Sequence, residues 1–211
     1  MNTGRAAREA GTGARILDVA ERLVQVRGFN GFSYADVAAE LGVTKASLHY
    51  HFPGKAELGE ALINRYATRF GEALQAIDLD GGDVRTRLAA YAALYAGVLR
   101  DHRMCLCGML AADYDTLPPA MREAVVRFFD ENEAWLERVL EQGLAQGALR
   151  YPGPARDQAQ LIISALEGAM LVARPYADPE RFQAAARRLL ATLEAPGWEG
   201  MPASSPTAHG G

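Results

Sequence analysis

Cysteine is nearly absent from the 211-residue sequence: Cys105 and Cys107 are the only two, one residue apart. Such a pair cannot staple distant parts of a chain. No hydrophobic signal segment stands at the start, so a reducing, cytoplasmic location is expected. Long apolar runs are lacking as well. The longest, LIISALEGAMLVA at 161–173, is broken by Glu167 and is too short to span a bilayer, so it reads as a buried helix. Alternating β-branched residues, the mark of strands, do not occur, and nearly every segment has helical periodicity. There is no P-loop, nucleophile elbow, HExxH or GxGxxG, and nothing else that supports an enzyme.

An excess of positive charge is also missing. The net charge of −4 argues against a protein that coats nucleic acid with its whole surface. That total hides an asymmetry. Residues 1–70 carry nine Lys/Arg against seven Asp/Glu, whereas residues 71–211 carry thirteen against nineteen. A mildly basic first third on an acidic body places any polyanion contact near the N-terminus.

What is present is a succession of helices. Residues 1–13, with Arg5, Arg8 and three glycines, read as a flexible arm. A helical stripe of Ile16, Leu17, Val19, Ala20, Leu23 and Val24 follows, and Gly28 ends it. Ser33 fits an N-cap for a short helix to about Glu40. Gly42 makes a turn, Thr44 caps a second short helix, Pro53 stops it, and a long helix runs from Lys55 to about Ile77. DLDGGD at 78–83 separates two units. Beyond it, helices are predicted at 83–101, 103–113, 118–147, 155–174 and 178–194. The second unit spans 78–196, and the Gly-, Pro- and Ser-rich tail 197–211 reads as disordered.

Two short helices joined by a tight turn make a helix-turn-helix unit. Ala38 is small where the helices cross, Gly42 allows a positive φ, and Val37, Leu41, Val43 and Leu48 supply the apolar contacts. Any αα-corner shares some of these features. The helix from Thr44 would offer its N-terminal end and one face to a major groove. Lys55 opens the next helix, where the dipole disfavours a cation unless a phosphate shares the site; a solvated surface lysine is the bland alternative.

The stretch ILDVAERLVQVRGFNGFSYADVAAELGVTKASLHYHFPGKAEL resembles the DNA-binding domain of the TetR family of transcriptional regulators, over about residues 14–58. The resemblance implies an all-α protein: an N-terminal three-helix DNA-binding domain, then a helical ligand-binding and dimerisation domain. It implies contacts to double-stranded operator DNA from Ser33, Tyr34, Thr44, Lys45, Ser47, His49, Tyr50 and Lys55, with Phe52 and His51 structural. Two positions depart from the family pattern. His49 stands where tyrosine is usual, which bears on one phosphate contact. Gly54 stands where Ser, Asn or Asp is frequent, which weakens the cap of the following helix. The resemblance also implies a homodimer. The apolar helix at 155–174, paired with 178–194, suits that interface, and a monomer core helix is the alternative.

The segment from His102 onward resembles family members with a cysteine at the start of the sixth helix. Cys105 and Cys107 on one helix would lie about 200° apart. Arg103 would favour a thiolate at Cys105, permitting an electrophile sensor, and two small buried hydrophobes fit equally. An effector pocket is expected near Tyr95, Cys105, Met109 and Phe128. No metal or cofactor is expected: a set of His102, Cys105, Cys107 and Asp113 fails because Cys107 points away. The leading reading is a ligand-responsive repressor. The rival is a helical small-molecule-binding protein of the same fold that has lost DNA binding.

Overall fold

The computed structural model describes the backbone of residues 3–194 and side chains from residue 11 onward. Among these residues the protein is all-α. The helices are α1 (Thr3–Arg27), α2 (Tyr34–Leu41), α3 (Lys45–His51), α4 (Lys55–Leu79), α5 (Val84–Arg100), α6 (Leu106–Ala112), α7 (Pro119–Ala145), α8 (Ala155–Ala173) and α9 (Pro179–Ala191). The tail read as disordered, 197–211, lies outside the described residues.

One boundary differs clearly from expectation. Residues 3–13, read as a flexible arm, continue α1 toward its N-terminus. The segment is rich in Ala, Arg and Glu, strong helix formers, and Gly11 and Gly13 each cost only about 1 kcal/mol against Ala. Gly13 also packs where a side chain would meet His51. The helix predicted at 103–113 is shorter than expected, because His102 takes a positive φ of 58° and the chain stays irregular until Cys105.

The first unit is held as the sequence suggested. Ser33 caps α2 in a reciprocal capping box with Asp36, and Gly42 ends that helix at φ 67°. Val37, Ala38 and Leu48 are buried, with Leu41 and Val43 packed against them. Electrostatics fasten α1 to α4: Arg65 and Arg69 both donate to the buried Glu21 carboxylate, and Arg65 also reaches Asp18.

In the body, α8 is the central element, packed between α7 and α9, while α4 crosses α7 and links the two units. Leu161, Leu171 and Val172 remain exposed on one face of α8. Among the described residues no helix is long and apolar enough to cross a membrane.

Candidate nucleic-acid interface and effector core

Thr44 sits at the α3 N-cap and accepts a hydrogen bond from the Ser47 amide at 3.3 Å. Because Leu48 is buried, the rest of this short helix turns outward. Lys45, His49 and Tyr50 are exposed with Thr44, and Ser47 is half-buried. Five of the eight predicted contact residues thus share one surface at the N-terminal end and outer face of α3.

The other three are committed elsewhere. Ser33 caps α2, its hydroxyl donating to Asp36 at 2.6 Å. The Tyr34 hydroxyl turns inward, 2.9 Å from the Phe52 carbonyl and 2.6 Å from that of Gly54. Burial, and then the nearby Glu57 carboxylate, push its pKa up to about 12. Lys55 was expected to meet a phosphate. Instead its ammonium donates to the Phe29 and Phe32 carbonyls at 2.5 and 2.6 Å and lies over both aromatic rings. Desolvation lowers its pKa. The cation is therefore tolerated at the start of α4 by carbonyls and ring faces of the α1–α2 connection, an arrangement that sequence spacing does not reveal.

The two departures from the family pattern have visible consequences. Gly54 leaves α4 without a side-chain cap, and the Glu57 carboxylate folds into the space a side chain there would take. His49 Nδ1 lies 2.9 Å from the Pro53 carbonyl, which can only accept, so Nδ1–H is the donor and ties the ring to the α3–α4 connection.

The predicted effector residues do not line one cavity. Tyr95, Cys105 and Phe128 are almost fully buried and share one aromatic core. Phe70 lies 6.0 Å from Tyr95 and 5.3 Å from Phe128, ring to ring, and the Tyr66 hydroxyl is 3.7 Å from the Cys105 sulfur. Tyr91 joins Tyr95 to Asn132 through hydrogen bonds of 3.1 and 3.3 Å. Met109 instead borders a separate cavity of about 500 Å³ between α6, α7 and α8.

Cys105 and Cys107 are buried free thiols. Burial, then Glu167, raise the pKa of both, with Cys107 adding to the effect on Cys105. The thiolate expected from Arg103 is thus disfavoured, and Arg103 lines a cleft with Glu21 and Asp101. Asp113, considered as a metal ligand, accepts the Phe29 amide at 2.7 Å just beyond the end of α1. Among the described residues no group of three or more such side chains gathers for a metal.

Sequence reasoning missed Glu167, whose signal was its position inside the longest apolar run. Its carboxyl lies so close over Gly108 that a Cβ there would sit 2.3 Å from Oε2. Burial pushes its pKa up to about 7, with the nearby Cys105 thiol acting in the opposite sense.

Comparison with known proteins decides the family. Residues 16–62 match the family described as bacterial regulatory proteins, tetR family, and residues 82–189 match the tetracyclin repressor-like C-terminal domain. The chain belongs to the TetR family. A TetR-family transcriptional regulator from Agrobacterium tumefaciens is 33% identical, with a TM-score of 0.86 over 89% of this chain and all of that one. The HTH-type transcriptional repressor NemR of Escherichia coli is 27% identical over 87% of this chain and 96% of its own. The reduced form of that protein superposes with a TM-score of 0.77 at 26% identity, over 89% of this chain and 100% of its own.

Proposed function

We propose that this TetR-type regulator is a cytoplasmic, non-enzymatic repressor that binds operator DNA as a dimer and is released by a small-molecule or electrophile effector. The observation that carries DNA binding is the outward face of α3. Thr44, Lys45, Ser47, His49 and Tyr50 crowd a helix whose opposite side is anchored by Leu48. The NemR relative, named a repressor, favours repression. The exposed Leu161, Leu171 and Val172 on α8 supply an apolar face for a second copy, consistent with a palindromic operator.

The route from body to DNA unit runs through the end of α1. Asp113 holds the Phe29 amide, Asn30 donates to Thr116, the Met104 amide donates to the Gln25 carbonyl, and Arg174 donates to the Val26 carbonyl. A ligand that repacks α6 would therefore act on α1 directly as well as through α4. It must favour the DNA-incompetent state, with a coupling on the order of 1–3 kcal/mol.

The electrophile arm draws support from the Glu167 carboxyl beside Cys105, because in its ionised form it can accept the thiol proton as a sulfur–carbon bond forms. Cys105→Ser would then bind DNA yet ignore an alkylating agent, whereas Cys107→Ser would respond normally. Release of the Cys105→Ser protein by the alkylating agent would remove this arm.

The DNA reading is tested by selecting fragments from a random library with the purified protein and titrating salt on those recovered. Enrichment of a two-fold symmetric sequence with salt-dependent affinity is expected. Recovery of no preferred sequence at low salt would favour the helical ligand-binding protein that has lost its DNA.

A further inference from the structure

The cavity between α6, α7 and α8 opens to solvent on one side and offers about 500 Å³, within the range of small-molecule sites. Its walls are mainly apolar, including Met104, Met109, Phe129 and Ile163. Two carboxyl groups border it, Glu133 and Glu167, and among the described residues no Lys or Arg lines it. They differ in one respect. Glu133 has a partner, the Gln160 amide at 3.1 Å. Glu167 Oε1 is shut off from solvent and accepts no hydrogen bond.

A carboxyl oxygen shut off from solvent without a partner is costly, a penalty that a hydrophobic residue in its place would not carry. The surroundings make room for it specifically. Gly108 leaves the space the carboxyl occupies, which any larger residue would fill. The titratable groups facing it are Cys105, Cys107, Tyr66 from α4, and Tyr91 and Tyr95 from α5, with Glu133 across the cavity. All are acids, so none supplies a positive charge. Arg174, which reaches the Met109 sulfur, is engaged by the Val26 carbonyl.

We propose that this cavity binds a small organic cation, an ammonium or amidinium group on an apolar body, with Glu167 as the counter-ion. The apolar walls take the body of the ligand, and the cation stands against the carboxylate it neutralises. Binding at neutral pH would favour the ionised carboxyl and release a proton. This names the effector class for the regulator proposed above, and its regulatory meaning rests on that reading.

The test is equilibrium dialysis of the full chain, free of DNA, at about pH 8 where the carboxyl is ionised. The probes are benzyltrimethylammonium and its uncharged carbon isostere, neopentylbenzene. Wild type should retain the cation in preference to the isostere, and Glu167→Gln should weaken the cation by roughly tenfold or more. Glu123→Gln, an exposed carboxyl of α7 outside the cavity, should change little. Circular dichroism confirms that each variant is folded. Equal retention of both probes, no retention of the cation, or a Glu167→Gln protein that binds it as wild type does would each overturn the proposal. Because no DNA is present, cation binding without operator binding would sink the repressor reading alone. Operator binding without cation binding would sink this site alone.

Discussion

Replacing Glu167 with glutamine removes one titrating proton from the interior and should reshape stability against pH. In the folded chain burial holds that proton until about pH 7, against an ordinary carboxyl value of 4.5. The stabilising contribution of the retained proton is complete below the unfolded value. It is lost as pH rises through the folded value, and above that it no longer changes. A shift of this size corresponds to roughly 3 kcal/mol across the window. Asp36 and Asp83, both held below the usual carboxylate range by helix-capping bonds, act in the opposite sense at lower pH. Their effect is common to both proteins and cancels in the comparison. Urea unfolding at fixed protein concentration, stepped from about pH 4.5 to about pH 8, is the assay. Wild type should lose roughly 3 kcal/mol more than Glu167→Gln over that range. Parallel curves for the two proteins would refute the argument from burial.

Lys55→Ala should destabilise the protein by about 1–3 kcal/mol, by leaving the Phe29 and Phe32 carbonyls without their donor; thermal unfolding measures it, and an unchanged midpoint would contradict the inward placement. Lys45→Ala should leave stability alone but shallow the salt dependence of DNA binding by about 1 in slope, as one lost phosphate contact does. Tyr34→Phe removes a hydroxyl that braces the α3–α4 turn and should cost about 1 kcal/mol in urea unfolding. Leu171→Glu places a charge on the exposed apolar face of α8, and sedimentation should show a shift toward monomer.

Helix positions and the helix-turn-helix were legible because their signals are local. Ser33, Gly42 and Thr44 act within a few residues of themselves, and the buried Val37, Ala38 and Leu48 lie on the two short helices that these residues bound. The direction in which Tyr34 and Lys55 point was not legible. Each is fixed by carbonyls many residues away, Phe52 for the tyrosine, Phe29 and Phe32 for the lysine. The same holds for the pocket. Tyr95, Cys105 and Phe128 do converge, but through Tyr66 and Phe70 of α4, whose facing no single-helix periodicity could show. Met109 parts company with them because α6 begins only at Leu106, after the irregular stretch from His102. Glu167 was visible only as an interruption, and its meaning depended on Gly108 and Cys105 lying opposite.

The seam at the end of α1 is made largely of main-chain groups on the reading side: the Gln25 and Val26 carbonyls and the Phe29 amide. Every residue but proline offers a carbonyl and an amide, so side chains on this edge are nearly free to drift. The outward residues of α3 take no part in the seam. Selection can therefore rewrite Thr44, Lys45, His49 and Tyr50 for a new operator without retuning how the body is heard. A grafted α3 from another regulator would inherit this body's ligand response, making the chain a natural donor for modular sensors.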